Sequence, residues 1–115
     1  MACEEEKIQV ELLEILTELQ AEAHALSETA EFLAELDARR ACNNLNVLLL
    51  NLATGKVSPD DLGKECVEAL ERLVDKAIEH VQQYKLWLNA NRALFEASNR
   101  YSNCLHKLET GIPSD

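Results

Sequence analysis

Three histidines and four cysteines are the residues of this 115-residue chain that could carry chemistry: His24, His80, His106, Cys3, Cys42, Cys66 and Cys104. A carboxylate-bridged metal centre in a helical bundle needs Glu-x-x-His on facing helices. The residues three places before the histidines are Ala21, Ala77 and Asn103, so the motif is absent each time. The cysteines are far apart and form no Cys-x-x-Cys pair or Cys/His cluster, which leaves no framework for zinc. Gly55-Lys56 lacks the earlier glycine and the Ser/Thr of a phosphate-binding loop, and reads as a helix stop. No Ser/His/Asp or Cys/His arrangement can be placed. The residues predict no metal, no cofactor and no enzyme.

One histidine stands apart. Helical placement projects His24 to the polar side of a first helix, near Gln20, Ser27, Glu28 and Glu31. An exposed histidine on a bundle helix is what a phosphoacceptor requires. The stretch from His24 to Leu73 resembles the histidine phosphotransfer domain of chemotaxis-type kinases. Ala30, Phe32 and Leu33 match that family's Ala-x-Phe-Leu step. Leu45, Leu49, Leu52 and Gly55 match its second helix and stop, and Pro59 with Leu62 the start of its third. The resemblance covers under half the chain and implies a helical bundle with His24 as the phosphoacceptor.

The departures fall where the chemistry would be. Ser27 and Glu28 stand where the family carries a Lys-Gly pair, whose lysine offsets phosphate charge and whose glycine lets a partner approach. Glu28 and Glu31 would repel a phosphoryl group and hold His24 protonated, a poorer nucleophile. The 23 residues before His24 barely hold the helix that the family places ahead of it.

The element that positions His24 also carries the net charge. Residues 4–37 hold 11 acidic residues against the single Lys7, and the remainder balances to zero, so the whole −10 sits there. No Gly or Pro interrupts positions 1–54, and Glu, Leu, Ala and Gln dominate, all good helix formers. At 100° per residue, Ile8, Leu12, Ile15, Leu16, Leu19, Ala23, Leu26, Ala30 and Leu33 fall within an arc of about 100°, a stripe expected to be buried. Glu11, Glu14, Glu18 and Glu22 fall on the opposite, solvated side. These four glutamates and Trp87 are the candidate partner-binding residues.

Residues 38–54 read as a second, central helix, with Ala41, Leu45, Leu48, Leu49 and Leu52 on one face and four asparagines needing partners if buried. Gly55 suits the left-handed position that ends a helix. Ser58-Pro59-Asp60-Asp61 reads as the start of another, with Ser58 capping and Pro59 in the first turn. From there to Thr110 two apolar stripes differ in phase, which predicts a kink or short loop near residues 85–92. Residues 1–3 and 111–115 read as flexible ends.

The expected fold is one all-α domain over residues 1–115, an antiparallel helical bundle of three long or four shorter helices, elongated and dimeric. The pI near 4.7 disfavours nucleic acid and anionic membrane and permits a basic protein partner. Four cysteines could form two disulfides in an oxidising compartment, but an acidic start in place of a basic, apolar leader and the absence of any 18-residue apolar run predict reduced thiols in a cytoplasmic protein. The expected function is a non-enzymatic acidic interaction or adaptor module that self-associates, with phosphotransfer through His24 as the alternative.

Overall fold

The computed structural model describes residues 2–111. The chain is all-α: α1 spans Glu4–Ala41, α2 Leu45–Ala53, the one-turn 3-10 helix η1 Pro59–Asp61, and α3 Lys64–Thr110. No strand occurs among the described residues. Most of the expected C-terminal tail, residues 112–115, lies outside them.

Local chemistry explains each boundary. Glu4, Glu5 and Glu6 meet the positive end of α1, and Arg39 and Arg40 its negative end. Arg39 pairs with Glu35 one turn back at 2.7 Å, so the helix continues past Asp37 to Ala41. It stops where Asn44 takes a left-handed conformation (φ 48°), which asparagine tolerates. Asn44 Oδ1 accepts from the Val47 amide at 3.5 Å and caps α2. The second helix therefore begins at Leu45, not at residue 38, and this asparagine is a cap.

Gly55 closes α2 at φ 75°, as its position predicts. Ser58 and Asp61 form a reciprocal capping box: the Asp60 amide donates to Ser58 Oγ and the Ser58 amide to Asp61 Oδ2. That start supports a single turn only. Leu62 then adopts an extended backbone, and α3 begins at Lys64 instead of Pro59. Beyond it the expected break at 85–92 does not occur. Asn91 Nδ2 donates to the Trp87 carbonyl one turn back at 2.9 Å, and Ala90 is buried, so the polar run is accommodated within an unbroken helix.

The chain forms two compact units. The first comprises residues up to His24 and from Gln83 onward, the second Ala25–Gln82. In the first, α1 and α3 run antiparallel and are tied by a Cys3–Cys104 disulfide with Cα atoms 5.9 Å apart. The less exposed positions of α1 include Glu6, Val10, Leu13, Thr17, Gln20 and His24, in strict 3-4 alternation. Those of α3 include Gln83, Trp87, Ala90, Leu94, Ala97 and Tyr101, in the same rhythm. Small residues dominate the deepest positions: Ala90 and Ala97 are buried. The apolar stripe expected to be buried is not. Ile8, Leu12, Ile15, Leu16 and Leu19 are exposed, because α1 turns a mixed polar and apolar seam toward α3.

The second unit has a small core of Ala38, Leu45 and Ala69, against which Ala41, Leu70 and Leu73 pack. A Cys42–Cys66 disulfide, Cα–Cα 5.0 Å, joins α3 to the chain just after α1. Arg72 approaches Asp37 at 3.7 Å, and His80 Nδ1 pairs with Glu31 Oε2. α2 contributes one buried residue, Leu45, while Leu48 is half-buried and Leu49 exposed. It is a flanking helix and not the central one its apolar composition predicts.

All four cysteines are paired. The expectation of reduced thiols is overturned, because antiparallel packing brings residues distant in sequence within bridging distance. Cys3, expected in a flexible end, is buried and bonded.

Candidate functional site

In the first unit, three rings gather where α1 passes α3. His24 stacks on Trp87 with centroids 5.7 Å apart and planes inclined by 14°, and meets Tyr84 at 5.4 Å in a tilted geometry. Tyr84 and Trp87, one turn apart on α3, complete the cluster at 6.0 Å. Such ring pairs contribute about 0.5–1.5 kcal/mol beyond the area they bury. His24 is half-buried, so it is not the fully exposed histidine that its place among Gln20, Ser27, Glu28 and Glu31 suggests. One turn before it, Gln20 Oε1 is buried with no hydrogen-bond partner among the described residues.

Glu11, Glu14, Glu18 and Glu22 are exposed and share one side of α1, as their spacing predicts. Trp87 does not join them; it lies beside His24. The candidate partner-binding residues therefore separate into an acidic face and an aromatic cluster.

A third face of α1 lies between the seam and the glutamates. At 100° per residue, the directions of Ile8, Leu12, Ile15, Leu16 and Leu19 centre about 135° from the seam. Leu12 is 61% exposed and Leu19 57%. The buried core consists of alanine, cysteine and Leu45, with the larger apolar side chains outside.

The aromatic cluster and the oxidised state of the cysteines depart from what the sequence predicts. The available signal was the 3-4 alternation that links Cys3 to His24 on α1 and Trp87 to Cys104 on α3, a rhythm masked by the more apolar stripe beside it. No protein-family model, curated protein or solved structure matches the chain.

Proposed function

We propose that this chain is a non-enzymatic protein–protein interaction module that self-associates, two copies meeting through the apolar face of α1. The observation that carries this reading is the exposure of Ile8, Leu12, Ile15, Leu16 and Leu19 as one continuous stripe. Leaving such a stripe in water costs about 25 cal/mol for each Å². Self-association covers it with an equally apolar surface, as a symmetric interface requires. A stable homodimer buries about 1,000 Å² or more on each copy.

The acidic face of Glu11, Glu14, Glu18 and Glu22 stays free in this arrangement and suits a partner with a basic surface. Two cross-links that use every cysteine support a working place in an oxidising compartment, in contrast to the cytoplasm first expected. No helix is long and apolar enough to cross a membrane among the described residues.

The test is the double substitution Leu12→Glu and Leu19→Glu. Both side chains are exposed, so the helices should form normally by circular dichroism while sedimentation velocity shows loss of the associated species. An unchanged sedimentation coefficient in an associating protein would move the interface elsewhere.

A further inference from the structure

The two disulfides sit in unlike surroundings. Cys42 and Cys66 are both buried, and the core residues Ala38, Leu45 and Ala69 of the second unit lie within one turn of them along the chain. Cys3 is buried but Cys104 only half-buried, and every residue of α3 after Cys104 is exposed. Among the described residues up to His24, Cys3 is the one that is buried. The bridge is therefore the deepest anchor of α1 within the first unit. Beside it the seam is half-buried, and the contact that Arg100 makes to Gln9 Oε1 at 3.5 Å is exposed. Cys3 also holds a left-handed backbone, with φ 74°. A Cβ makes that conformation unfavourable, and cysteine lacks the short amide by which asparagine adopts it at Asn44.

We propose that Cys3–Cys104 is a redox-sensitive clasp: a dithiol reduces it ahead of Cys42–Cys66, and its opening releases the first turns of α1 while the second unit stays folded. A thiolate of the dithiol attacks the sulfur of Cys104, the more accessible of the pair, and Cys3 leaves as a thiolate that takes up a proton. The second thiol of the reagent then displaces Cys104 from the mixed disulfide. Two protein thiols form and the dithiol becomes a disulfide, a transfer of two electrons and two protons. Cys3 is then free to leave its left-handed backbone, which favours opening. With that anchor gone, the start of α1 separates from α3 by local unfolding. Cys42 and Cys66 are shielded by the core around them, so a reductant reaches them only when that core opens. The released turns carry Ile8, Glu11 and Leu12, so the clasp controls how these exposed side chains are presented. The reaction involves one chain and does not depend on self-association.

Timed reduction of the intact, disulfide-bonded protein by dithiothreitol without denaturant tests the proposal. Acid-quenched samples are alkylated with N-ethylmaleimide and mapped by peptide mass spectrometry. Cys3 and Cys104 should be labelled at least about tenfold faster than Cys42 and Cys66, so that a species with two free thiols accumulates. Hydrogen exchange on that species should show lost protection over residues 4–13 and unchanged protection over residues 64–73. Cys3→Ser with Cys104→Ser, which keeps the second bridge, should reproduce the same exchange pattern without reductant. Reduction of both bridges together, or of Cys42–Cys66 first, would overturn the proposal. So would a two-thiol species whose residues 4–13 stay protected, which would make the bridge a passive link.

Discussion

Cys3 and Cys104 are 101 positions apart in sequence and 5.9 Å apart between Cα atoms, so the start of α1 is fixed to the last turns of α3. Cys42–Cys66 closes a second loop across a separation of 24. A crosslink restricts the unfolded chain, and more so the longer the loop it closes. With a core limited largely to alanine, cysteine and Leu45, these bridges carry an unusual share of the stability.

Removing either bridge should therefore be costly. Cys3→Ser with Cys104→Ser, or Cys42→Ser with Cys66→Ser, should lower stability by about 3–5 kcal/mol, read from urea unfolding. The unreduced protein should also take up no alkylating reagent. Ready alkylation, or a midpoint unmoved by reduction, would contradict the pairing.

Gln20 places a buried carbonyl oxygen, with no hydrogen-bond partner among the described residues, in the seam between α1 and α3. Gln20→Met keeps the length of the side chain and removes that oxygen. It should raise stability by about 1 kcal/mol, seen as a higher Tm. A loss of stability would mean that the amide is satisfied in solution.

Leu45 is 3% exposed at the centre of the second unit. Leu45→Ala should cost about 2–5 kcal/mol, whereas Glu18→Ala on the solvated face should cost under about 0.5 kcal/mol. Equal effects would show that Leu45 does not organise the core.

Incubation with a histidine kinase or a phosphorylated receiver should leave no acid-labile label on His24. The ring is half-buried against Trp87, and Glu28 stands one turn away where compensating positive charge is needed. A stoichiometric label that disappears in His24→Gln would reverse this expectation and return His24 to the role its sequence context suggests.

The all-α class and several local signals were legible. Gly55 ends a helix and Ser58 caps a turn for the reasons their residue types supply. The glutamate face was equally plain, since charged side chains on one side of a helix have few alternatives to solvent. The facing of α1 was not legible, because hydrophobic periodicity ranks stripes by apolarity, whereas this helix packs through a seam that mixes polar and apolar residues. Val10, Leu13, Thr17 and Gln20 lie toward the seam, while Leu12, Ile15 and Leu19 lie outside. The same bias hides the aromatic cluster, because helical placement sets His24 among polar neighbours on α1. The disulfides left a trace: positions 3 and 42 lie 39 residues apart and positions 66 and 104 lie 38 apart, a nearly equal spacing. Wide spacing without Cys-x-x-Cys pairs does not by itself specify a pairing.

The molar mass of the intact protein in solution, measured by light scattering across a dilution series, tests self-association most directly. The outward stripe of α1 predicts a mass near twice 12.9 kDa at micromolar concentration, falling toward the monomer on dilution and remaining monomeric in Leu12→Glu with Leu19→Glu. A wild-type mass of 12.9 kDa throughout the micromolar range would contradict it and leave the apolar face of α1 without the partner proposed here.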